Sequence, residues 1–155
     1  MKILVLGRKG QLGRCIYDQL ADTDHEVIYT SRANIDMEEI TFLKSKILSI
    51  NPDIVINASA YTAVDRAEDE KQLAHIINHL AVAKIAEVCE EIDAWLIHIS
   101  TDYVFDGTST KPYKESDKTN PQSVYGNSKL KGEKSILLSK CKHIILRTAW
   151  VYSEY

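Results

Sequence analysis

Residues 3–13 read ILVLGRKGQLG, a short apolar run that leads directly into three glycines. An uninterrupted apolar run of this length is typical of a strand buried on both faces of a parallel sheet. Gly7, Gly10 and Gly13 then fall at i, i+3 and i+6, where a pattern of helical spacing begins. Glycines there permit a tight turn, let the backbone approach a phosphate, and let the helix pack closely on the strand. The sequence therefore predicts a strand–turn–helix unit with a pyrophosphate site at the helix N-terminus.

Four further apolar runs follow, at residues 27–29, 54–56, 95–99 and 144–146, each after a segment with helical spacing. The apolar positions of these helical segments are Leu12, Ile16 and Leu20, then Ile40, Leu43 and Ile47, then Leu73, Ile77, Leu80, Ile85 and Val88. Alternating strands and helices predict an α/β fold, a Rossmann-type doubly wound parallel sheet, for which we expect the strand order 3-2-1-4-5. Asp36 and Glu39 resemble a capping box and predict a helix that starts near Met37. Residues 106–123 are rich in turn formers and predict a surface loop.

The bulk composition points to one soluble domain over residues 1–155. A chain of 155 residues with 45% hydrophobic content can build one ordinary core, and its net charge of −3 disfavours nucleic-acid binding. No apolar segment is long enough to cross a bilayer, so we expect no membrane association and a cytoplasmic location. Three widely spaced cysteines, Cys15, Cys89 and Cys141, indicate reduced thiols rather than a disulfide framework.

The end of the second predicted strand bears on the choice of dinucleotide. An acidic residue at this place would bind the ribose hydroxyls of NAD, but the sequence has Thr30, Ser31 and Arg32. A guanidinium recognises phosphate in a bidentate fashion, so Arg32, with help from Arg8 or Lys9, is a candidate for the 2′-phosphate of NADP. The alternative is that Arg32 is a solvated loop residue. The sequence favours NADPH and leaves NADH as a second candidate.

Tyr125 and Lys129 stand at i and i+4, so a helix would place the phenol and the ammonium on one face. A nearby cation favours the phenolate, and we expect Lys129 to lower the pKa of Tyr125. Ser100 and Thr101 end the fourth predicted strand, at the sheet edge where open α/β sheets bind ligands. One of these two hydroxyls is expected to hydrogen-bond a substrate carbonyl while Tyr125 protonates it. The sequence alone does not choose between them.

Two histidine patterns have plainer interpretations. His75 and His79 stand four apart, but no glutamate lies between them as in zinc-protease motifs, so a structural role is favoured and no metal site is predicted. His98, inside the fourth predicted strand, is most simply a buried strand residue.

Five ordered blocks together resemble the dTDP-4-dehydrorhamnose reductases, a family of extended short-chain dehydrogenases/reductases. They are GRKGQLG at residues 7–13, NASAYTAVDRAE at 57–68, STDYVFDG at 100–107, YGNSK at 125–129 and RTAWVY at 147–152. The resemblance covers nearly the whole chain, and its second and third blocks are the most distinctive. It implies an NADPH-dependent reduction of the 4-keto group of dTDP-4-dehydro-L-rhamnose to give dTDP-L-rhamnose.

The resemblance also implies a role for individual residues. The catalytic group would be Thr101, Tyr125 and Lys129, and substrate contacts would come from Val64, Tyr103 and Trp150. The cofactor-binding set would be Gly7, Gly10, Gln11, Leu12, Gly13, Arg32, Asp36, Ala58, Ser59, Ala60, Tyr61, Asn78, Tyr125 and Lys129. Arg8 and Lys9 replace the small residues usual in this glycine turn, and Ser59 stands where alanine is commoner.

Members of that family continue for about as many residues again, and their C-terminal part supplies most of the nucleotide-sugar pocket. We therefore expect the 155-residue chain to be truncated before that substrate-binding part, to bind cofactor, and to turn over poorly. A homodimer is kept open. Two alternative functions also stay open: a non-catalytic NADP-binding regulatory subunit similar to the methionine adenosyltransferase β subunit, and another nucleotide-sugar reductase or epimerase.

Overall fold

The computed structural model describes residues 1–155, which form a five-stranded parallel sheet with helices between the strands. The strands are β1 (Lys2–Leu6), β2 (Glu26–Thr30), β3 (Ile54–Asn57), β4 (Trp95–Thr101) and β5 (Lys142–Thr148). The helices are α1 (Gln11–Leu20), α2 (Ile40–Ile50), α3 (Lys71–His75), α4 (Ala81–Glu91) and α5 (Val124–Leu138). The predicted Rossmann-type α/β fold is confirmed.

The strand order is β2-β1-β3-β4-β5, so the predicted order 3-2-1-4-5 is wrong. β3 pairs with β1, with Val5 opposite Ile56, and lies inside the sheet rather than beyond β2. Burial explains the difference: Val55 and Asn57 of β3 are fully buried, whereas β2 begins with the exposed Glu26 and is only partly covered. The chain thus reverses its winding direction between β1 and β3. A crevice opens at such a switch point, beside the carboxyl ends of the two strands.

The core lies mainly on one face of the sheet, where α2, α4 and α5 pack. Its fully buried members include Leu4 of β1, Leu43 of α2, Val55 of β3, Ile85 of α4 and Leu96 of β4. The opposite face is less well covered near β5, where Ile144 and Leu146 are exposed. None of the helices combines the length and the apolar character required to span a bilayer.

The predicted helix start near Met37 is wrong, because α2 begins at Ile40. The Asp36 carboxylate accepts a hydrogen bond from the Glu38 backbone N–H at 3.0 Å, which closes a turn rather than caps a helix. Its other oxygen accepts from the Arg32 side chain at 3.0 Å. Asp36 therefore stabilises the loop that precedes α2 and does not cap the helix.

The long helix expected around residues 73–88 is divided by a π-helical turn, Ile76–Leu80, between α3 and α4. A π turn inserts one extra residue into a helical turn and often occurs at functional sites. Here it contains Asn78, whose side chain is buried. α5 packs so closely on this turn that a side chain at Gly132 would overlap the Asn78 carbonyl oxygen.

Residues 106–123 contain no helix or strand, as expected of a loop. Tyr113 anchors this loop, since its ring stacks on Phe105 with 4.4 Å between centroids and its hydroxyl donates to Asp106 at 2.6 Å. The loop thus leads from β4 to the start of α5 along a fixed path.

Candidate active site

A groove of about 550 Å³ lies at the carboxyl ends of β3, β4 and β5, beside the start of α1. It joins a second hollow of about 420 Å³, because Ser59, Ala60 and Thr62 line both. Arg32 and Asp36 line the second hollow and not the first groove. The residues of the first groove that the sequence singled out are Gly10, Gln11, Leu12, Ala58, Ser59, Ala60, Val64, Ser100, Thr101, Tyr103, Tyr125, Lys129 and Trp150.

The glycine turn forms one wall of this groove. Gly7 has φ +93°, and a Cβ atom there would lie 2.7 Å from the Ala58 carbonyl oxygen, so only glycine fits between β1 and the end of β3. A Cβ at Gly13 would overlap the Gly7 carbonyl oxygen. No side chain caps the start of α1, and Gly10 and Gln11 face the groove. The first amides of α1 are therefore suited to a phosphate group.

Replacing Gly13 with alanine is expected to destabilise the chain by about 1 to 3 kcal/mol, because the methyl group has no space beside the Gly7 carbonyl. Urea denaturation followed by circular dichroism measures this loss. Gly10→Ala is the matched control, since a Cβ there approaches no closer than 3.5 Å to the same oxygen. Equal losses in the two variants would contradict the close approach of α1 to β1.

Thr101, Tyr125 and Lys129 meet at the other wall of the groove. Thr101 is the last residue of β4, and Tyr125 and Lys129 lie in the first two turns of α5. α5 starts there because the Ser123 side chain accepts a hydrogen bond from the Gly126 N–H at 3.0 Å. The sequence-predicted trio is thus brought together by the end of one strand and the start of one helix.

The structure distinguishes between the hydroxyls of Ser100 and Thr101, which the sequence alone did not. Ser100 points into the protein, where its hydroxyl donates to the buried carboxylate of Glu133. The Thr101 hydroxyl instead accepts from the Tyr103 N–H at 3.2 Å and helps to offset the burial effect on Tyr125 by hydrogen bonding. Thr101 is therefore the hydroxyl that accompanies Tyr125.

The electrostatics of the pair differ from the expectation. Burial raises the pKa of Tyr125, although the hydrogen bond from Thr101 opposes this rise, so the predicted lowering by Lys129 is not observed. Burial also lowers the pKa of Lys129 to about 8, against the opposing effect of Glu133. Lys129 is buried in this way because its side chain is only 2% exposed and its Nζ donates to the Ile99 carbonyl at 2.6 Å. At neutral pH Tyr125 is a protonated phenol that can act as an acid.

Asn78 is buried outside the groove and hydrogen-bonds two segments that carry groove residues. Its side-chain oxygen accepts from the Tyr61 N–H at 2.9 Å, and its amide nitrogen donates to the Tyr61 carbonyl and the Ser128 hydroxyl, both at 3.0 Å. Tyr61 in turn donates its hydroxyl to Glu70 at 2.6 Å. Asn78 does not line the groove and instead clamps the segment after β3 to α5.

Arg32 is not free at the outer end of the groove. Its guanidinium contacts the carboxylates of Asp36 and Glu38, while its side chain remains largely exposed. Arg8, the other candidate cation, lies over the ring of Tyr17 at 3.8 Å from the centroid. A phosphate at this end would have to compete with two carboxylates for Arg32.

Comparison with known proteins bears on the whole chain. A family model described as "RmlD substrate binding domain" matches residues 1–155. This chain belongs to that family. A dTDP-4-dehydrorhamnose reductase of Sinorhizobium fredii is 43% identical over 155 residues, which are 100% of this chain and 52% of the relative. The chain thus spans about half the length of the curated relatives that it matches.

Solved structures of proteins called dTDP-4-dehydrorhamnose reductases have the same fold. A dTDP-4-dehydrorhamnose reductase of Clostridium acetobutylicum superimposes with a TM-score of 0.97 at 41% identity, over 100% of this chain and 55% of that one. Another, from Bacillus anthracis in complex with NADP, gives a TM-score of 0.95 at 33% identity, over 99% of this chain and 55% of that one. The predicted family resemblance is confirmed.

The structure places in one groove the three residues that the resemblance to dTDP-4-dehydrorhamnose reductases assigns to substrate. Val64, Tyr103 and Trp150 all line it. Trp150 is 79% exposed, and the Tyr103 ring meets the Tyr125 ring edge-on at 5.6 Å between centroids. Tyr103 therefore lies next to the phenol, and Val64 and Trp150 line the same groove.

Two buried polar residues close to the site were not singled out from the sequence, Asn57 and Glu133, whereas His98 was expected only as a buried strand residue and is one. Asn57 and His98 are register partners on β3 and β4, and Glu133 pairs with Arg147. A usable signal did exist, because Asn57 directly follows the apolar run at 54–56 and His98 lies inside the run at 95–99, where a polar group is costly to bury. His75 and His79 contact each other at 3.3 Å, and no group of three potential metal ligands is present.

Proposed function

We propose that residues 1–155 form one cofactor-binding domain of an NADPH-dependent reductase of nucleotide-linked 4-keto sugars, acting on dTDP-4-dehydro-L-rhamnose. One observation carries the proposal: Thr101, Tyr125 and Lys129 open into the same groove as the glycine turn. The names of the relatives support it, and those proteins are about twice as long as this chain.

The chemistry follows from the groups in place. When bound, a dihydronicotinamide supplies the hydride for reduction of a ketone. Tyr125 is protonated at neutral pH because burial raises its pKa, so it can donate a proton to the developing alkoxide. The Thr101 hydroxyl can hydrogen-bond the same oxygen, and Lys129 holds its proton weakly because burial lowers its pKa to about 8. Together these groups favour reduction over simple binding.

The dinucleotide would extend along the joined groove. The α1 N-terminus and the glycine turn would hold the pyrophosphate, residues 58–61 would border the dinucleotide, and Asp36 would lie near the adenine. Gly7 supports this placement, because it has no side chain and lets the turn lie close to the Ala58 backbone, which leaves the backbone of the turn accessible to a phosphate. NADPH is the proposed cofactor, with NADH as the second candidate.

Arg32→Ala is expected to weaken NADPH binding by about 10- to 100-fold and to leave NADH binding unchanged, because only NADPH carries a 2′-phosphate. Fluorescence titration of the two cofactors measures both affinities. Glu38→Gln is the complementary variant: it removes one of the two carboxylates that hold Arg32, so it should tighten NADPH binding. Parallel changes for NADH and NADPH in either variant would show that Arg32 does not contact the 2′-phosphate.

The reaction is tested by following NADPH absorbance with dTDP-4-dehydro-L-rhamnose. The assay uses the chain alone and a chimera in which residues 1–155 are followed by the C-terminal half of the Sinorhizobium fredii relative. We expect turnover in the chimera and little in the chain alone. NADPH binding without turnover in the chimera would favour the regulatory-subunit alternative, and tightly held NAD without net consumption would favour an epimerase.

The three free cysteines suit the cytoplasm, which is the proposed compartment, because thiols stay reduced there. A homodimer is the proposed assembly, and sedimentation of the chimera tests it. A nucleotide sugar is the proposed small-molecule partner.

A further inference from the structure

Glu68 connects the segment that follows β3 to the start of α5. It is the last residue of a 3₁₀ turn, Arg66–Glu68, and its carboxylate accepts a hydrogen bond from the Val124 backbone N–H at 2.8 Å. The two residues are 56 positions apart in the chain. Val124 is the first residue of α5, and Tyr125 is the second. The contact therefore holds the backbone one residue before the phenol of the groove.

The start of α5 needs such a contact. The first amides of a helix have no acceptor within the helix, so the first turn frays unless other groups bind them. In α5 the Ser123 side chain accepts from the Gly126 N–H at 3.0 Å, and Glu68 accepts from the Val124 N–H. A carboxylate at this end also interacts favourably with the helix dipole. Of these two caps, only Glu68 comes from a distant part of the chain, so only Glu68 ties the turn to another segment.

The segment after β4 restrains the same turn from another direction. A Cβ atom at Gly126 would overlap the Tyr103 carbonyl oxygen, so α5 begins in close contact with this segment. Tyr103 is joined to Thr101, because its N–H donates to the Thr101 hydroxyl at 3.2 Å. The Gly126 contact thus relates α5 to Thr101, and the Glu68 contact relates α5 to the segment after β3.

A small apolar cluster lies where these segments meet. It includes Tyr61, Ala67 and Tyr125, each at most 9% exposed, and Val64 packs against it. Ala67 directly precedes Glu68 in the chain. The Tyr125 ring is therefore packed in one cluster with the segment that Glu68 holds, so a shift of that segment would displace the ring.

We propose that Glu68 is a positioning residue that sets the place of the Tyr125 phenol by holding the start of α5 to the segment after β3. The catalytic meaning of this inference rests on the proposed reductase function, whereas the contact is a property of the folded chain. Glu68 lines neither the groove nor the hollow that joins it, so it acts through Val124 rather than on a ligand.

The neighbouring acidic residues have different contacts. Glu70 binds the Tyr61 hydroxyl and the Arg66 guanidinium, both within its own segment. The Asp69 side chain makes no hydrogen bond and no ion pair, and Glu68 makes no ion pair that would compete with its bond to Val124. Asp69 is therefore a suitable reference for the general effect of removing a carboxylate from this turn.

The contact is tested in the chain alone by the exchange of the Val124 amide proton with water, measured by nuclear magnetic resonance. Glu68→Ala removes the acceptor and should speed this exchange by about 5- to 10-fold, the factor that corresponds to the loss of a typical helix cap. Glu68→Gln keeps an acceptor oxygen at the same reach and should exchange almost as the wild type does. Asp69→Ala should have no effect, and the amide of Ile136 near the end of α5 reports any global loss of stability.

The effect on Tyr125 is tested by the kinetics of the chimera. In Glu68→Ala we expect kcat to fall by about 5- to 20-fold, because a displaced proton donor transfers its proton less efficiently. KM for NADPH should stay unchanged, since the glycine turn lies at the other wall of the groove. Glu68→Gln should restore most of the rate. Glu68→Asp keeps the charge but shortens the side chain, so it should be as slow as Glu68→Ala, and it replaces that variant if the alanine chain does not fold.

Two results would overturn the inference directly. One is an exchange rate of the Val124 amide that stays the same in Glu68→Ala, and the other is an equal fall of kcat in Glu68→Ala and Asp69→Ala. A fast Glu68→Asp beside a slow Glu68→Gln would also overturn it, because charge rather than the hydrogen bond would then be responsible. If the exchange rates are as expected but the wild-type chimera reduces no keto sugar, the hold of Glu68 on α5 stands and the reductase proposal fails.

Discussion

Arg147→Met is expected to lower the free energy of unfolding by about 3 to 5 kcal/mol, although Arg147 lies outside the groove. Glu133 is 1% exposed, and Arg147 contacts both of its carboxylate oxygens, at 2.7 and 3.0 Å. Removing the guanidinium leaves the carboxylate buried with only the Ser100 hydroxyl as a side-chain partner. Urea denaturation at neutral pH measures the loss.

The matched control is a double-mutant cycle that also includes Glu133→Gln alone. Glu133→Gln combined with Arg147→Met removes the unpaired charge, so the double variant should be more stable than Arg147→Met alone. If the single and double variants lose the same free energy, the pair contributes packing rather than charge compensation. NADPH binding is followed in parallel, because Ser100 links this pair to the strand that carries Thr101.

The local pattern of apolar residues was sufficient to predict where the strands of the sheet lie in the sequence. Each apolar run predicted from the sequence lies within an observed strand, and the glycine turn lies between β1 and α1 as expected. The order of the strands was not predictable in this way, because periodicity describes one segment at a time. The place of β3 depends on which strand can tolerate an edge, and the exposed Glu26 that starts β2 is a weak signal for that.

The site shows the same division. The i, i+4 spacing of Tyr125 and Lys129 suffices to place them on one face of α5, and the parallel sheet brings Thr101 to them. The state of these groups depends on contacts across the fold. Lys129 reaches the Ile99 carbonyl and His98, thirty or more positions away in the chain, so its low pKa could not be inferred from the spacing.

Contact partners also account for the misplaced helix start. Asp36 and Glu39 have capping-box spacing, but the Asp36 carboxylate binds Arg32 and the Glu38 N–H instead. A cation four residues upstream thus competes with the helix for the same carboxylate. Sequence spacing shows which groups can interact, and the competition among them is settled only in the folded chain.

Tyr125→Phe is expected to lower NADPH-dependent turnover of dTDP-4-dehydro-L-rhamnose in the chimera by about 10²- to 10⁴-fold, because it removes the proton donor. The ring stays in place against Tyr103, so NADPH affinity and folding should change little. Stopped-flow measurement of NADPH oxidation gives the rate, and fluorescence titration gives the affinity. Tyr113→Phe is the control, since its hydroxyl binds Asp106 in the loop and should not affect the rate.

The loss should also depend on pH in a particular direction. Because burial raises the pKa of Tyr125, the wild-type phenol stays protonated through neutral pH and loses its acid function only on the alkaline side. The advantage of the wild type over Tyr125→Phe should therefore be constant at neutral pH and shrink as the pH rises past the tyrosine pKa. A rate unchanged in Tyr125→Phe at neutral pH would exclude this phenol as the acid, and the proton would then have to come from solvent or from Lys129.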